Sequence, residues 1–201
     1  MVVAVFVSGR GSNLKAILDS PKLRHLAEVK AVFSDKANCP AFEIAKQFSI
    51  PAYCIGKSDG FISNKKLKDH LLSLEIELIV LAGYLKLIPG DVVSSFKFRI
   101  INIHPALLPS FGGSGMYGAN VHKAVFNSSA QVSGATVHFV DETYDTGKII
   151  AQRCVDITDV NSPAEIAERV LNVEHTLLPD VIEKLALKKV TIENGRVKVV
   201  S

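Results

Sequence analysis

The sequence has no tryptophan, 7% aromatic residues, three cysteines and no apolar run of membrane length free of charge or glycine. Cys39, Cys54 and Cys154 are odd in number, widely spaced and without a Cys-x-x-Cys pair. That pattern fits free thiols in a reducing compartment better than a disulfide framework, so a cytoplasmic location is expected. Few aromatics leave little for base stacking. The 23 basic and 20 acidic residues are scattered, with Lys65-Lys66 and Lys188-Lys189 the longest basic runs. No nucleic-acid partner is expected, although the net charge of +3 still suits small anionic substrates such as phosphates or carboxylates. The apolar run at 2–7 is too short for a signal-peptide core or a membrane span, and no membrane association is expected. His104, His122 and His138 fall in separate segments without metal-ligand spacing, so no metal is expected. A G-x-S-x-G elbow is missing too, which argues against a covalent acyl-enzyme.

What is present is an alternation of short β-branched runs and amphipathic stretches. Residues 2–7 read as a strand and stop at Ser8-Gly9-Arg10-Gly11-Ser12, after which residues 13–18 carry apolar side chains at helical spacing. Strands at 29–34, 52–55 and 78–82 alternate with helices at 40–48 and 61–74. Repeated βαβ units imply a parallel sheet with functional residues at the strand C-terminal ends. The nearly continuous apolar runs at 78–82 and 99–103 suit central strands covered on both faces. Residues 105–118, with two prolines and four glycines after residue 104, read as a working loop. A helix at 119–127, strands at 136–140 and 149–155, and a long helix at 163–187 capped by Ser162 complete the main series. Asn194-Gly195 between alternating residues signals a terminal hairpin. The fold class is therefore α/β: a Rossmann-like three-layer sandwich, mostly parallel, with antiparallel strands toward the C-terminal end. With 48% hydrophobic residues and no linker-like tract, residues 1–201 are expected to form a single domain, 190–201 being its C-terminal β-hairpin.

Three segments carry candidate chemistry. In Ser8-Gly9-Arg10-Gly11-Ser12-Asn13, glycine permits close backbone approach and the helix start offers free N–H groups to a phosphate; the plain alternative is a βα turn with Ser12 as cap. The segment lacks both the third glycine of a dinucleotide fingerprint and a Walker lysine. In Asn102-Ile103-His104-Pro105, residues two apart on a strand project to one face, so a carboxamide and an imidazole converge. Asn can donate to a developing oxyanion and His can move a proton near neutrality, which is what acyl transfer requires; the alternative is an Asn bonded to backbone and a satisfied core His. The third segment, 140–147, offers Asp141, Glu142 and Asp145 on one loop, and spacing alone does not choose among them.

Together, Ser8-Gly-Arg-Gly-Ser-Asn-Leu14, Ala82-Gly-Tyr84, Asn102-Ile-His-Pro-Ala-Leu-Leu-Pro109, Gly134-Ala-Thr-Val-His-Phe-Val140 and Asp145-Thr-Gly147 resemble the phosphoribosylglycinamide formyltransferase family over roughly residues 1–185. The Asn-x-His-Pro stretch with a later Asp-x-Gly is shared by 10-formyltetrahydrofolate-dependent transferases at large; the opening motif points to the glycinamide ribonucleotide branch. The resemblance implies formyl transfer from 10-formyltetrahydrofolate, as co-substrate, to the amine of glycinamide ribonucleotide in purine biosynthesis. It implies Asn102, His104 and Asp145 as the catalytic set, Gly11, Ser12, Asn13 and Glu174 at the phosphate and ribose, and Leu85, Lys86, Leu87, Ile88, Asn102, Val140 and Asp145 at the folate. Asp145 is expected to keep His104 protonated near pH 7. Lys86, Gly115, Lys148 and Leu171 depart from the family's usual Arg, His, Pro and polar residue; His122 matches. The expected partners are the two small-molecule substrates, with the chain a monomer or homodimer. The rivals are a formyltetrahydrofolate deformylase or a tRNA formyltransferase, whose added domains exceed this length, and a non-catalytic folate or phosphate-binding module.

Overall fold

The computed structural model describes residues 1–200. They form two compact units, the first Met1–Asn102 and the second beginning at Ile103.

The first unit opens with β1 (Val2–Val7), whose residues 3–7 are fully buried, as a β-branched run covered on both faces should be. Then come α1 (Ser12–Asp19), β2 (Glu28–Ser34), α2 (Ala41–Gln47), β3 (Ala52–Cys54), α3 (Asn64–Ser73), β4 (Leu78–Leu81), α4 (Gly90–Ser95) and β5 (Ile100–His104), whose last two residues begin the second unit. These strands lie in the order β3-β2-β1-β4-β5, every pair parallel. The order reverses direction from β1, so the loops after β1 and β4 flank a switch point, where α/β sheets bind ligands. Phe6 stacks on Phe33 at 4.8 Å and meets Tyr84 edge-on at 5.4 Å.

The second unit contains α5 (Ala119–Asn127), β6 (Val132–Phe139), β7 (Ile149–Asp156), α6 (Pro163–Ala186), β8 (Val190–Glu193) and β9 (Arg196–Val199). β6 and β7 pair antiparallel, as do β8 and β9 around the expected Asn-Gly turn. Ser162 caps α6 by accepting from the Glu165 amide at 3.3 Å. The α/β class, mostly parallel strands and antiparallel pairing toward the C-terminal end thus match the sequence reading.

Three details differ from it. Helix α4 is not among the expected elements, because six residues after Pro89 are too few to show a period; it forms by burying Val92 and Val93. β6 begins at Val132, four residues before the expected start at 136, since Ser133 and Gly134 mask the strand. Gly134 is there because a Cβ would lie 2.0 Å from the Arg153 carbonyl across the ladder. Third, α1 begins at Ser12, one residue before the expected 13, which rules out the alternative of Ser12 as cap; Gly11 takes that place with φ 79°, a left-handed conformation favouring glycine.

Candidate active site

In the first unit, the turn after β1 delivers Gly11, Ser12 and Asn13 to the start of α1. Gly11 is packed so closely that a Cβ would sit 2.6 Å from the Ala41 Cβ. No side-chain hydrogen bond caps the helix at Gly11, and a helix start of this kind suits an anion. Asn13 is buried. After β4, Leu85 and Leu87 stand exposed, Lys86 is exposed too, and Ile88 is buried; the pair of exposed leucines forms an apolar edge suited to a flat ring.

In the second unit, the end of β5 carries His104, 3% exposed, two residues after the half-buried Asn102 on the same strand face. A carbonyl only accepts, so His104 Nε2 holds a proton and donates it to the Phe111 carbonyl at 2.9 Å. Nδ1 lies 3.6 Å from Asp145 Oδ2. The other oxygen, Oδ1, lies 3.6 Å from Nε2 of His138, whose Nδ1 donates to the Phe139 carbonyl at 2.7 Å. The Gly113 amide donates to Asp145 Oδ2 at 2.9 Å. One carboxylate therefore sits between two buried imidazoles, each oriented by a main-chain carbonyl.

Loop geometry separates the three carboxylates that spacing could not. Asp141 turns back to accept from the Thr143 amide at 3.1 Å and the Thr146 hydroxyl at 2.8 Å, which occupies it as a turn staple. Glu142 is exposed. Asp145 alone of the three faces His104, from a left-handed backbone with φ 58°. Gly147, two residues on, leaves no room for a side chain: a Cβ would fall 1.7 Å from the Phe139 carbonyl.

Electrostatics correct one expectation. Burial lowers the His104 pKa below its ordinary 6.5; Asp145 and the Phe111 carbonyl oppose this and His138 adds to it, and burial wins. The net direction runs against the expected protonated imidazole, although Asp145 does favour the charged form, and His104 is a donor through Nε2–H. Burial pushes the Asp145 carboxyl up, but His138, the Gly113 amide and the charge of His104 together hold it below the usual carboxylate range. His122 on α5, buried, is lowered by burial and by His104.

The structure brings Asp145 to His104 and shows Asn102 and His104 on one strand face; Val140 lies at the head of the Asp145 loop, and Glu174 is buried on α6. His138 is a candidate site residue, beside Asp145, that sequence reasoning misses. It stands within the Gly134-to-Val140 motif, but a histidine in a buried strand reads as core, and only its contact to Asp145 reveals it. Lys148, where the family usually has proline, reaches the hairpin and donates to the Gly195 carbonyl at 2.5 Å. Among the described residues no group of three or more His, Cys, Asp or Glu is arranged for a metal, and no helix is long and apolar enough to cross a membrane.

Comparison with known proteins gives this geometry a family. The formyl transferase family profile matches residues 1–182. The chain is 44% identical over 192 residues to the chloroplastic phosphoribosylglycinamide formyltransferase of Vigna unguiculata, covering 94% of this chain and 62% of the relative. It is 43% identical over 194 residues to the chloroplastic enzyme of Arabidopsis thaliana, covering 94% and 66%. The chain thus spans just under two thirds of the length of these plant relatives. Among solved structures, glycinamide ribonucleotide transformylase 1 from Symbiobacterium toebii superposes with a TM-score of 0.88 at 31% identity, covering 100% of this chain and 94% of that one. This chain belongs to the formyl transferase family, in its phosphoribosylglycinamide formyltransferase branch.

Proposed function

We propose that the chain transfers the formyl group of 10-formyltetrahydrofolate to the amine of glycinamide ribonucleotide, giving formylglycinamide ribonucleotide and tetrahydrofolate in purine biosynthesis. The observation that carries this reading is the pairing of His104 with Asp145 at the end of the strand that also presents Asn102. In the proposed reaction the amine attacks the formyl carbon directly. The oxyanion that develops would accept from the Asn102 carboxamide and from the His104 Nε2–H, which leaves the Phe111 carbonyl when substrate binds. Asp145 lowers the cost of an imidazolium as His104 takes part in moving a proton from the attacking amine to the departing folate nitrogen. No formyl-enzyme bond is required.

In the first unit the substrate phosphate would rest on Gly11, Ser12 and Asn13; in the second, Glu174 is the residue assigned to the ribose. In the first unit residues 85–88 would serve the pterin, and in the second unit the loop from Val140 to Asp145 is the segment assigned to the folate. The family match through residues 1–182 supports treating the two units as one formyltransferase domain. The reading places the chain in the cytoplasm, as monomer or homodimer, with small molecules as its partners.

The test is to incubate the chain with 10-formyltetrahydrofolate, with and without glycinamide ribonucleotide, and follow the deformylated folate by absorbance. Turnover that depends on the amine is expected. Turnover without it would assign a deformylase, and binding without turnover a non-catalytic module.

A further inference from the structure

Ser8 closes β1 and opens the turn toward α1, yet its hydroxyl is turned away from that turn. The residue is 2% exposed. Its Oγ donates to Asp35 Oδ1, just past β2, at 2.6 Å, a short bond of the kind a charged acceptor makes. The same oxygen accepts from the Leu85 amide at 3.1 Å. The Ser8 amide donates to the Gly83 carbonyl, also at 3.1 Å. One residue thus ties together the C-terminal ends of β1, β2 and β4, the end of a parallel sheet where ligands bind.

Each of these bonds anchors a segment with a role at the site. Directly after Ser8 comes Gly9-Arg10-Gly11, the turn that delivers Ser12 and Asn13. The Gly9 carbonyl is held in turn by the Ala41 amide at 3.3 Å and the Cys39 thiol at 3.3 Å. Leu85 begins the segment 85–88. Asp35 also presses on Tyr84, whose hydroxyl, mainly through burial and then through that charge, is pushed up to about 12. Deleting the Ser8 hydroxyl would leave the Leu85 amide without its acceptor and a carboxylate without its donor in a partly buried place, a state that does not persist without movement of one segment or the other.

Resting on the function proposed above, we propose that Ser8 with Asp35 is a positioning clamp that sets the phosphate turn and the folate segment together, so that the two substrate subsites form or loosen as one. Ser8 touches neither substrate. Its contribution is to hold two backbone segments in one geometry, and it acts on binding of both substrates more than on the chemical step.

The experiment compares the full chain with its Ser8→Ala, Ser8→Thr, Asp35→Asn and Ser8→Ala/Asp35→Asn variants. Steady-state kinetics gives KM for each substrate and kcat, and peptide-level hydrogen exchange reports on residues 9–13 and 84–88. For Ser8→Ala the KM for glycinamide ribonucleotide and for 10-formyltetrahydrofolate is expected to rise about tenfold each, with kcat within about twofold, as loss of a bond to a charged partner predicts. Ser8→Thr, which keeps the hydroxyl, restores most of it. The double variant is no worse than Ser8→Ala, because both changes break one clamp. Residues 9–13 and 84–88 exchange faster together in Ser8→Ala. A rise in one KM alone, a fall in kcat with both KM unchanged, or faster exchange of one segment alone would overturn the clamp. Wild-type chain without amine-dependent turnover overturns the functional reading instead, and the exchange measurement then still decides whether the two segments are linked.

Discussion

Replacing Asp145 with asparagine keeps the shape and the left-handed backbone, which asparagine tolerates, while removing the charge. Two effects result, each of known sign. The carboxylate raises the His104 pKa against burial; without it, burial and His138 both act downward. Any limb of the pH–rate profile that titrates with His104 therefore moves to lower pH in Asp145→Asn, and kcat falls by about 10²- to 10⁴-fold as proton transfer loses its support. A profile that stays in place, or moves to higher pH, would refute the coupling. Asn102→Ala is the companion measurement: loss of one oxyanion donor lowers kcat by about 10²- to 10³-fold, and full retention of kcat removes Asn102 from the catalytic set. The Asn102 and His104 pair is legible because strand alternation alone puts i and i+2 on one face. Asp145 is legible only through the family motif, since nothing in the run Asp141-Glu142-Thr143-Tyr144-Asp145 says which carboxylate folds back on its own loop. His138 is hidden because its role depends on a loop that arrives from later in the chain.

At the scale of elements, the two ends of the chain start their helices differently. α1 begins on Gly11, held against α2 so that Gly11→Ala meets the Ala41 Cβ at 2.6 Å while forcing an alanine into φ 79°. Crowding of this kind costs about 1–3 kcal/mol, with the left-handed strain in addition, so thermal unfolding of Gly11→Ala is expected several degrees below wild type and the KM for glycinamide ribonucleotide raised. An unchanged melting temperature would mean that the turn yields freely. α6 begins on Ser162, and there the sequence signal is sufficient: the hydroxyl accepts from the Glu165 amide, while the Glu165 carboxylate accepts from the Asn161 amide at 3.1 Å. Ser162→Ala should cost about 1 kcal/mol in denaturant unfolding with kcat unaltered. Local rules thus read α6 in full and leave the start of α1 open, where a tertiary contact to α2 and not a capping side chain decides it. α4 escapes for a related reason, since a six-residue helix is held by burial of Val92 and Val93 and carries no period of its own.

For the whole chain, the buried imidazoles set how stability responds to acid. Burial lowers the pKa of His104, His122 and His175 below 6.5. A group with a depressed folded-state pKa binds fewer protons folded than unfolded, so stability rises with pH across the interval between the two values and is lost as pH falls through it. Acidification from about pH 8 to about pH 5 is therefore expected to lower the melting temperature, beginning near the ordinary imidazole value. Asp145 works in the same direction in a lower window, since its depressed pKa lies below the usual 3.8. The Arg169 pair with Asp159 also depresses a carboxylate, but that pair is exposed, its window is again below 3.8, and salt screens it. The loss between pH 7 and pH 5 should thus persist in high salt, and His122→Gln should flatten it by removing one buried proton acceptor and the repulsion between it and His104. A melting temperature that is level or rising on acidification over that interval would show that the imidazoles gain more from their carboxylate than burial takes from them.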